Sequence, residues 1–241
     1  RNYIRTINQD IMGYQSNKYE IGSVISSAFT SQKNADLPIN RDEIVTSHAG
    51  LVYMMVGCMM QAVERYPDYR MLERPIAIIG GGYSGLSLAK HLTNEGFEVN
   101  VFGISEAQQT SKDSTVYVNE FKEIGKSGLL FLLSTDGKCG VHSIEDYLLP
   151  SMVLLSNTFP HLQESNILAI KRKGVYCFET YTRVPSIRVF PSYFNNDPQF
   201  IASYFIQSYL ETINQKSYKD DAQEFSKDAN EIGMLPYLKE L

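Results

Sequence analysis

The feature that most constrains this chain is a glycine-rich turn between a short apolar segment and a helical pattern. The β-branched segment Pro75–Ile79 leads into Gly80–Gly85, whose letters GGGYSG fit the pattern G-x-G-x-x-G. Apolar residues then recur at helical spacing as far as Asn94–Gly96, which signals a helix end. Phe97–Phe102 alternates apolar and polar residues, as a second strand does. Strand, tight turn, helix and strand within about thirty residues predict a parallel βαβ unit.

Each glycine of the pattern has a physical task in such a unit. Gly80 permits a sharp turn, Gly82 lets the backbone approach a pyrophosphate, and Gly85 lets the helix lie close to the strand. Backbone N–H groups and the helix dipole would then stabilise the phosphates, so we predict a dinucleotide site that includes Tyr83 and Ser84. Tyr83 either lies over the cofactor or fills space in the core, and packing is the favoured interpretation. The alternative for the whole turn is a glycine loop that preserves the fold and binds nothing.

Further apolar runs continue the alternation of strands and helices. Residues 128–135 and 151–156 are continuous apolar runs, as in strands covered on both faces, and residues 142–149 can form a short helix between them. One more strand falls at either 174–178 or 186–190, and the sequence does not decide between them. The predicted fold class is α/β, a Rossmann-type doubly wound, mostly parallel sheet with an N-terminal helical extension and a C-terminal helix and tail.

The chain divides into segments of different character. We predict an extended N-terminal arm at residues 1–40, a methionine-rich helix at 41–70 that packs on the main domain, and a dinucleotide-binding domain at 72–195. Asn40 is the predicted cap of the helix. Residues 196–241 are expected to form a helix, from Gln199 to about Asn214, and an acidic tail.

The end of the second strand bears on the choice of cofactor. NAD and FAD sites usually place an acidic residue there for the ribose hydroxyls, whereas this chain has Gly103, Ile104 and Ser105. Without the acid, nothing repels a 2′-phosphate, so the sequence leans toward NADP over NAD or FAD, with Ser105 as a candidate donor. Lys112 is the nearest cation.

The segment Ile76–Leu92 resembles the start of the pyrroline-5-carboxylate reductase family, and in particular its divergent NADP-dependent oxidoreductase domain-containing relatives. Phe131–Ser134 and Met152–Ser156 are similar to the family's third and fourth strands, and Arg188–Ser192 is similar to its R-V-M-P-N segment. Flavoproteins share the triple glycine but normally require the missing acid. The resemblance covers roughly residues 72–195.

The resemblance implies an NADP-dependent reductase of a cyclic imine, with Ser134 and Thr135 lining the nicotinamide side. The sequence departs from the family at Ser192, where the family has asparagine, and only about fifty residues follow, too few for the family's helical catalytic domain. We identify no catalytic residues. The alternative is therefore a non-catalytic scaffold or cofactor-sensing subunit, in which the N-terminal arm and the methionine-rich helix contact other proteins, for example in a ciliary assembly.

Composition excludes several other classes of function. A net charge of −5 and a pI near 5.4 give no field for binding nucleic acid. The odd number of cysteines and the scattered histidines indicate neither a disulfide framework nor a metal site. The longest apolar run, Ala49–Met60, is too short to cross a bilayer, so we expect no membrane insertion and a reducing, cytoplasmic location.

Overall fold

The structure of this chain is a computed structural model. It describes residues 25–26, 44–45, 48–66, 70–80, 82–103, 116–117, 120–133, 139–158, 161–185, 200–218 and 221–241.

The strands in the described residues are mostly short, as in other α/β sheets. In chain order they are β1 Ile25–Ser26, β2 Ile44–Val45, β3 Ile76–Ile79, β4 Val99–Phe102, β5 Val116–Tyr117, β6 Leu129–Leu132, β7 Val153–Ser156, β8 Tyr176–Arg183, β9 Phe200–Ile201 and β10 Leu235–Glu240. The helices are α1 Ala49–Arg65, α2 Arg70–Glu73, α3 Tyr83–Asn94, α4 Cys139–Ile144, α5 Glu164–Arg172, α6 Ser203–Ile213 and α7 Ala222–Glu231, with 3₁₀ turns at Phe121–Lys126 and Glu145–Tyr147.

The strand order of the main sheet defines the fold. Neighbouring strands follow the order β10-β8-β7-β6-β3-β4-β5, and all pairs from β8 to β5 are parallel. Counted from β3 as the first strand, the parallel part has the order 3-2-1-4-5-6, which is that of the Rossmann fold. The predicted fold class is confirmed: the chain is a doubly wound, mostly parallel α/β protein.

Both faces of the sheet are covered by apolar side chains. On one face, α1 and α3 pack on alternate residues of β3, β4, β6 and β7, among them Ile76, Ile78 and Phe131. On the other face, the 3₁₀ turn at Phe121–Lys126, α4 and α5 pack on the intervening residues, among them Ala77 and Leu130. Two-sided burial explains why these strands are continuous apolar runs in the sequence.

Helix α1 runs antiparallel to the strands, in the same direction as α3. Its C-terminal end lies at the amino edge of the sheet, where the rings of Tyr66 and Tyr176 are 4.2 Å apart between centroids. Its N-terminal end lies at the carboxyl edge, where His48 Nδ1 is 3.4 Å from the Ser84 hydroxyl at the start of α3. Both helices therefore begin at the edge where the parallel strands end.

The methionine-rich helix starts later than the sequence predicts. Asn40 is not its cap, because Ile44–Val45 is a strand paired in parallel with Ile25–Ser26, and α1 begins at Ala49. Ile44 and Val45 are adjacent β-branched residues, which favour extended backbone. The acidic residues before them, Asp42 and Glu43, had suggested the first turn of a helix instead. The remaining residues predicted as an extended arm lie outside the described residues.

The C-terminal segment contributes more to the fold than a helix and tail. The predicted helix is present as α6 but begins at Ser203 and not at Gln199, because Phe200–Ile201 pairs with β8 as β9, and α7 and β10 follow it. An Asp221 carboxylate caps α7 by accepting a hydrogen bond from the Glu224 N–H at 2.8 Å. Strand β10 pairs antiparallel with β8. Its backbone N–H and C=O groups pair with those of β8, which would otherwise form an open edge of the sheet.

Contacts on both faces hold β10 in place. The guanidinium of Arg183 lies 3.9 Å from the ring centroid of Tyr237. On the α1 side, a Cβ added to Gly57 would lie 2.3 Å from Pro236 Cγ, so the helix backbone lies directly against the proline ring of the strand. Of the two strands left open by the sequence, the one near 174–178 is present as β8, and 186–190 lies outside the described residues.

Within the described residues, no helix has the length and apolar character needed to cross a membrane.

Docking of β10 can be tested with two leucines of the same strand. Leu238 is 2% exposed in the core that α1 covers, whereas Leu235 is 56% exposed. Leu238→Ala should lower the free energy of unfolding by about 2–5 kcal/mol, because it leaves a cavity. Leu235→Ala should change it by less than about 0.5 kcal/mol. Urea denaturation followed by circular dichroism measures both values, and equal effects would mean that β10 is not docked.

Candidate functional site

The candidate site lies at the carboxyl edge of the sheet, between β3 and β6. The chain leaves β3 toward β4 on one side, and β6 lies on the other side, so the strand order reverses at this point. Hydrogen bonds fix the two strand ends: Gly80 N–H to Phe102 O at 3.0 Å, and Leu133 N–H to Ile79 O at 2.8 Å. Open α/β sheets bind their ligands in the crevice at such a switch point.

The glycines of the turn have the geometry that the sequence predicts. Gly80 has φ +118°, a conformation that few residues other than glycine adopt. A Cβ at Gly85 would lie 2.0 Å from the carbonyl oxygen of Gly80, so only glycine lets α3 start this close to β3. At Gly82, by contrast, an added Cβ would meet no atom within 4 Å, and the residue is exposed. Gly82 thus faces open space at the mouth of the turn.

The first turn of α3 points its backbone donors at this space. Gly82 is the N-cap, and no side chain caps the helix there. The first intrahelical bond runs from Leu86 N–H to Gly82 O at 3.0 Å, which leaves the earlier N–H groups without helical acceptors. Together with the helix dipole, these donors form a region suited to a phosphate group.

The end of β4 faces the turn with backbone alone. Gly103 has φ +76°, and a Cβ added there would lie 3.9 Å from Gly80 N. No carboxylate side chain therefore stands at this position beside the turn. Residues 104–115, with Ser105, lie outside the described residues, as do Ser134 and Thr135 after β6.

Polar side chains cluster beyond β6, at the end of β7 and beside it on β8. Asn157 Nδ2 donates to both the carbonyl oxygen and the hydroxyl of Thr180, each at 3.2 Å. The hydroxyls of Ser156 and Thr158 are 3.3 Å apart. These residues were missed by the sequence analysis, although a polar run directly after an apolar strand is a signal for a strand end at the carboxyl edge.

His48 is a further residue at this edge that was absent from the sequence predictions. It stands directly before α1, is 7% exposed, and contacts Ser84. No local pattern marks it, because the contact joins the N-terminal extension to the glycine turn. Tyr83, which begins α3, and Gly80, Gly82, Ser84 and Gly85 all lie at the turn, so five of the predicted residues are brought together.

A buried carboxylate lies further along the same edge, on β8. Glu179 accepts hydrogen bonds from the Tyr181 hydroxyl and from His161 Nδ1, the latter at 3.1 Å, and Lys239 Nζ is 3.7 Å away. Burial raises the pKa of the Glu179 carboxyl, but the hydrogen bonds from His161 and Tyr181 and the charges of His161 and Lys239 outweigh burial and hold the pKa below its ordinary value. The carboxylate is therefore ionised at neutral pH.

Two of the three cysteines, Cys58 and Cys177, are poor candidates for nucleophiles. Burial raises the pKa of both the Cys58 and the Cys177 thiol to about 12, so neither is a thiolate at neutral pH. Among the described residues, no group of three or more histidine, cysteine or acidic side chains could hold a metal ion.

Comparisons with known proteins identify no family for this chain. No protein-family model matches this sequence, and no curated protein is significantly similar to it. Several solved structures align with it. They include an imine reductase variant from Myxococcus stipitatus in complex with NAD+, at 15% identity and a TM-score of 0.39. A reductive aminase from Aspergillus terreus in complex with NADPH and ethyl levulinate aligns at 18% identity and a TM-score of 0.36. The 3-hydroxyisobutyrate dehydrogenase of Mycobacterium tuberculosis aligns at 10% identity and a TM-score of 0.39.

Each of these alignments spans 44% of this chain and 40% of the other chain. The fold class of this chain therefore rests on its own strand order and on its glycine turn.

Two glycines of the turn should respond differently to the same substitution. Gly85→Ala places a Cβ against the Gly80 carbonyl, so it should lower the free energy of unfolding by about 1–3 kcal/mol, even though alanine favours a helix by about 1 kcal/mol. Gly82→Ala projects into open space and should leave stability within about 0.5 kcal/mol. Thermal or urea unfolding of both variants checks this difference.

The lowered pKa of Glu179 predicts a pH dependence of stability. A carboxyl whose pKa is lowered by folding stabilises the native state above its unfolded pKa of about 4.3, and this contribution is lost as the pH falls through the folded value. The unfolding free energy of the wild type should therefore fall more steeply between about pH 5 and pH 3 than that of Glu179→Gln. Glu95→Gln, which removes a carboxylate at an exposed position, is the matched control. Equal slopes for all three proteins would contradict the prediction.

Proposed function

We propose that this chain binds a nicotinamide dinucleotide at the carboxyl edge of its sheet, as the cofactor-binding domain of an NAD(P)-dependent oxidoreductase. The observation that carries the proposal is the difference between two glycines of one turn. Gly85 is required by a backbone contact, whereas Gly82 faces open space that a fold-preserving turn alone does not need. That space lies at the switch point and in front of the first turn of α3.

The residues at the site fit the parts of a dinucleotide. In this proposal, the backbone around Gly80, Gly82, Tyr83 and Ser84 binds the pyrophosphate, because its N–H groups and the helix dipole face the same space. Gly85 keeps the helix close to β3. When bound, the nicotinamide supplies or accepts a hydride, while the protein orients it and excludes water.

The cofactor proposed is NADP rather than NAD. Gly103 leaves no carboxylate at the end of β4, so a 2′-phosphate meets no repulsion from that position. We propose Ser105 as a hydrogen-bond donor to the adenine-side ribose or its phosphate, and Ser134 and Thr135 as residues of the nicotinamide side.

The substrate class proposed is a cyclic imine, on the basis of the sequence resemblance of residues 72–195 to pyrroline-5-carboxylate reductases. Reduction requires a closed site over the nicotinamide, and the residues that close it in this proposal belong to a further domain or a partner chain.

Titration of the purified protein with NADPH and NADH tests binding. Nicotinamide fluorescence should report micromolar affinity for NADPH and weaker affinity for NADH. Gly82→Ala should weaken NADPH binding by at least about 10-fold, because its Cβ enters the space for the phosphates. Gly125→Ala is the matched control: its Cβ would make only an ordinary contact, 3.7 Å from Tyr147 O, so affinity should stay within about twofold.

Absence of binding by the wild type would refute the proposal and favour the alternative of a non-catalytic scaffold. Addition of pyrroline-5-carboxylate to the NADPH complex then separates the remaining cases. Oxidation of NADPH supports the reductase, and binding without turnover supports a cofactor-sensing subunit.

A further inference from the structure

We infer that His48 and Ser84 form the part of the site that receives the nicotinamide half of the dinucleotide, so that α1, which precedes the βαβ unit, belongs to the binding site. This inference rests on the proposed function. It adds a residue from the N-terminal extension to a site otherwise built from the Rossmann domain.

His48 lies directly beside the glycine turn. His48 Nδ1 lies 3.4 Å from the hydroxyl of Ser84, the second residue of α3. The residue is 7% exposed, so its ring is held against the turn rather than projecting into solvent. An imidazole and a hydroxyl thus lie side by side next to the backbone donors proposed for the pyrophosphate.

We assign the pair of His48 and Ser84 to the half of the site that lies toward β6 and β7. In a Rossmann fold, the adenine-side ribose lies at the end of the second parallel strand, here β4 at Gly103. The other half of the dinucleotide therefore extends from the turn toward β6 and β7. Helix α1 covers that half of the sheet: the Thr180 hydroxyl on β8 contacts Met55 Sδ at 3.3 Å, and Gly57 packs on Pro236 of β10. Since His48 stands at the start of α1, we place it on this half of the site.

Contacts with α6 hold the start of α1 in place. Gly50 N–H donates to Gln207 Oε1 at 2.8 Å, and Gln207 is completely buried. A Cβ at Gly50 would lie 2.9 Å from Ser203 O, so α1 and α6 are in backbone contact directly after His48. This contact fixes the His48 backbone beside the turn, as a preorganised binding residue requires.

The chemistry of the pair suits an uncharged polar group. Imidazole and hydroxyl groups can each donate and accept hydrogen bonds. The nicotinamide half offers ribose hydroxyls and a carboxamide, which need both kinds of partner. In the proposed site the adenosine binds toward β4 and the two phosphates bind backbone N–H groups of the turn, so neither should depend on the His48 side chain.

Isothermal titration calorimetry with two ligands tests the inference. NADPH contains both halves, whereas ADP contains the adenosine and both phosphates but no nicotinamide half. His48→Ala and Ser84→Ala should each weaken NADPH binding by about 3- to 10-fold, the range for the loss of one hydrogen bond, and His48→Ala should leave ADP affinity within about twofold of the wild type. His48→Gln, which keeps a donor and an acceptor, should recover part of the loss. His91→Ala, a histidine on the same helix as Ser84 but in its last turn, should behave as the wild type.

A merely structural role for His48 would affect both ligands equally, because distortion of the turn would disturb the phosphate donors as well. An equal loss for NADPH and ADP in His48→Ala would therefore overturn the inference, and so would an unchanged NADPH affinity. If the wild type binds neither ligand, the proposed function fails first, and that result is distinct from selective effects in the variants. Circular dichroism of each variant confirms that it is folded before titration.

Discussion

The contact between Gly85 and the Gly80 carbonyl is the constraint on which the rest of the structure depends. A Cβ at Gly85 would lie only 2.0 Å from the Gly80 carbonyl oxygen. Because glycine has no Cβ, helix α3 can begin directly after β3. The short turn places the N-terminus of α3 at the carboxyl edge, in the centre of the sheet where the strand order reverses. The same contact leaves Gly82 facing open space. One backbone approach therefore fixes both the start of the doubly wound fold and the position of the candidate site.

The two ends of the chain complete the half of the sheet beyond the switch point. Helix α1 comes before the βαβ unit, and α6, α7 and β10 come after the last parallel strand, yet α1 packs on β7, β8 and β10, and α6 and α7 pack on α1. Methionine side chains suit this position because they adapt to several irregular neighbours at once, and Met54, Met55 and Met59 are buried. The extension and the C-terminal segment thus act as structural parts of one domain core.

Polar groups gather at the carboxyl edge for a physical reason. Apolar residues fill both faces of the parallel strands, so polar side chains in this half of the sheet are accommodated mainly where the strands end. Asn157 with Thr180, Glu179 with His161 and Tyr181, and His48 with Ser84 all lie along that edge. Each is partnered within the protein, which lowers the cost of its burial and keeps its orientation defined.

The sequence by itself determined the βαβ unit, the glycine turn and the class of fold, because these depend on local signals. Missing Cβ atoms, the period of an apolar run and the residues that end a helix all act between near neighbours. The start of α1 was missed because local polar residues suggested a cap, while a β-branched pair favoured extended backbone. Only the tertiary structure decided that β10 covers the edge of β8 and that His48 lies against Ser84. The hydrogen bond that fixes the start of α1 joins residues 157 positions apart, Gly50 and Gln207, and no local pattern encodes a contact at that separation.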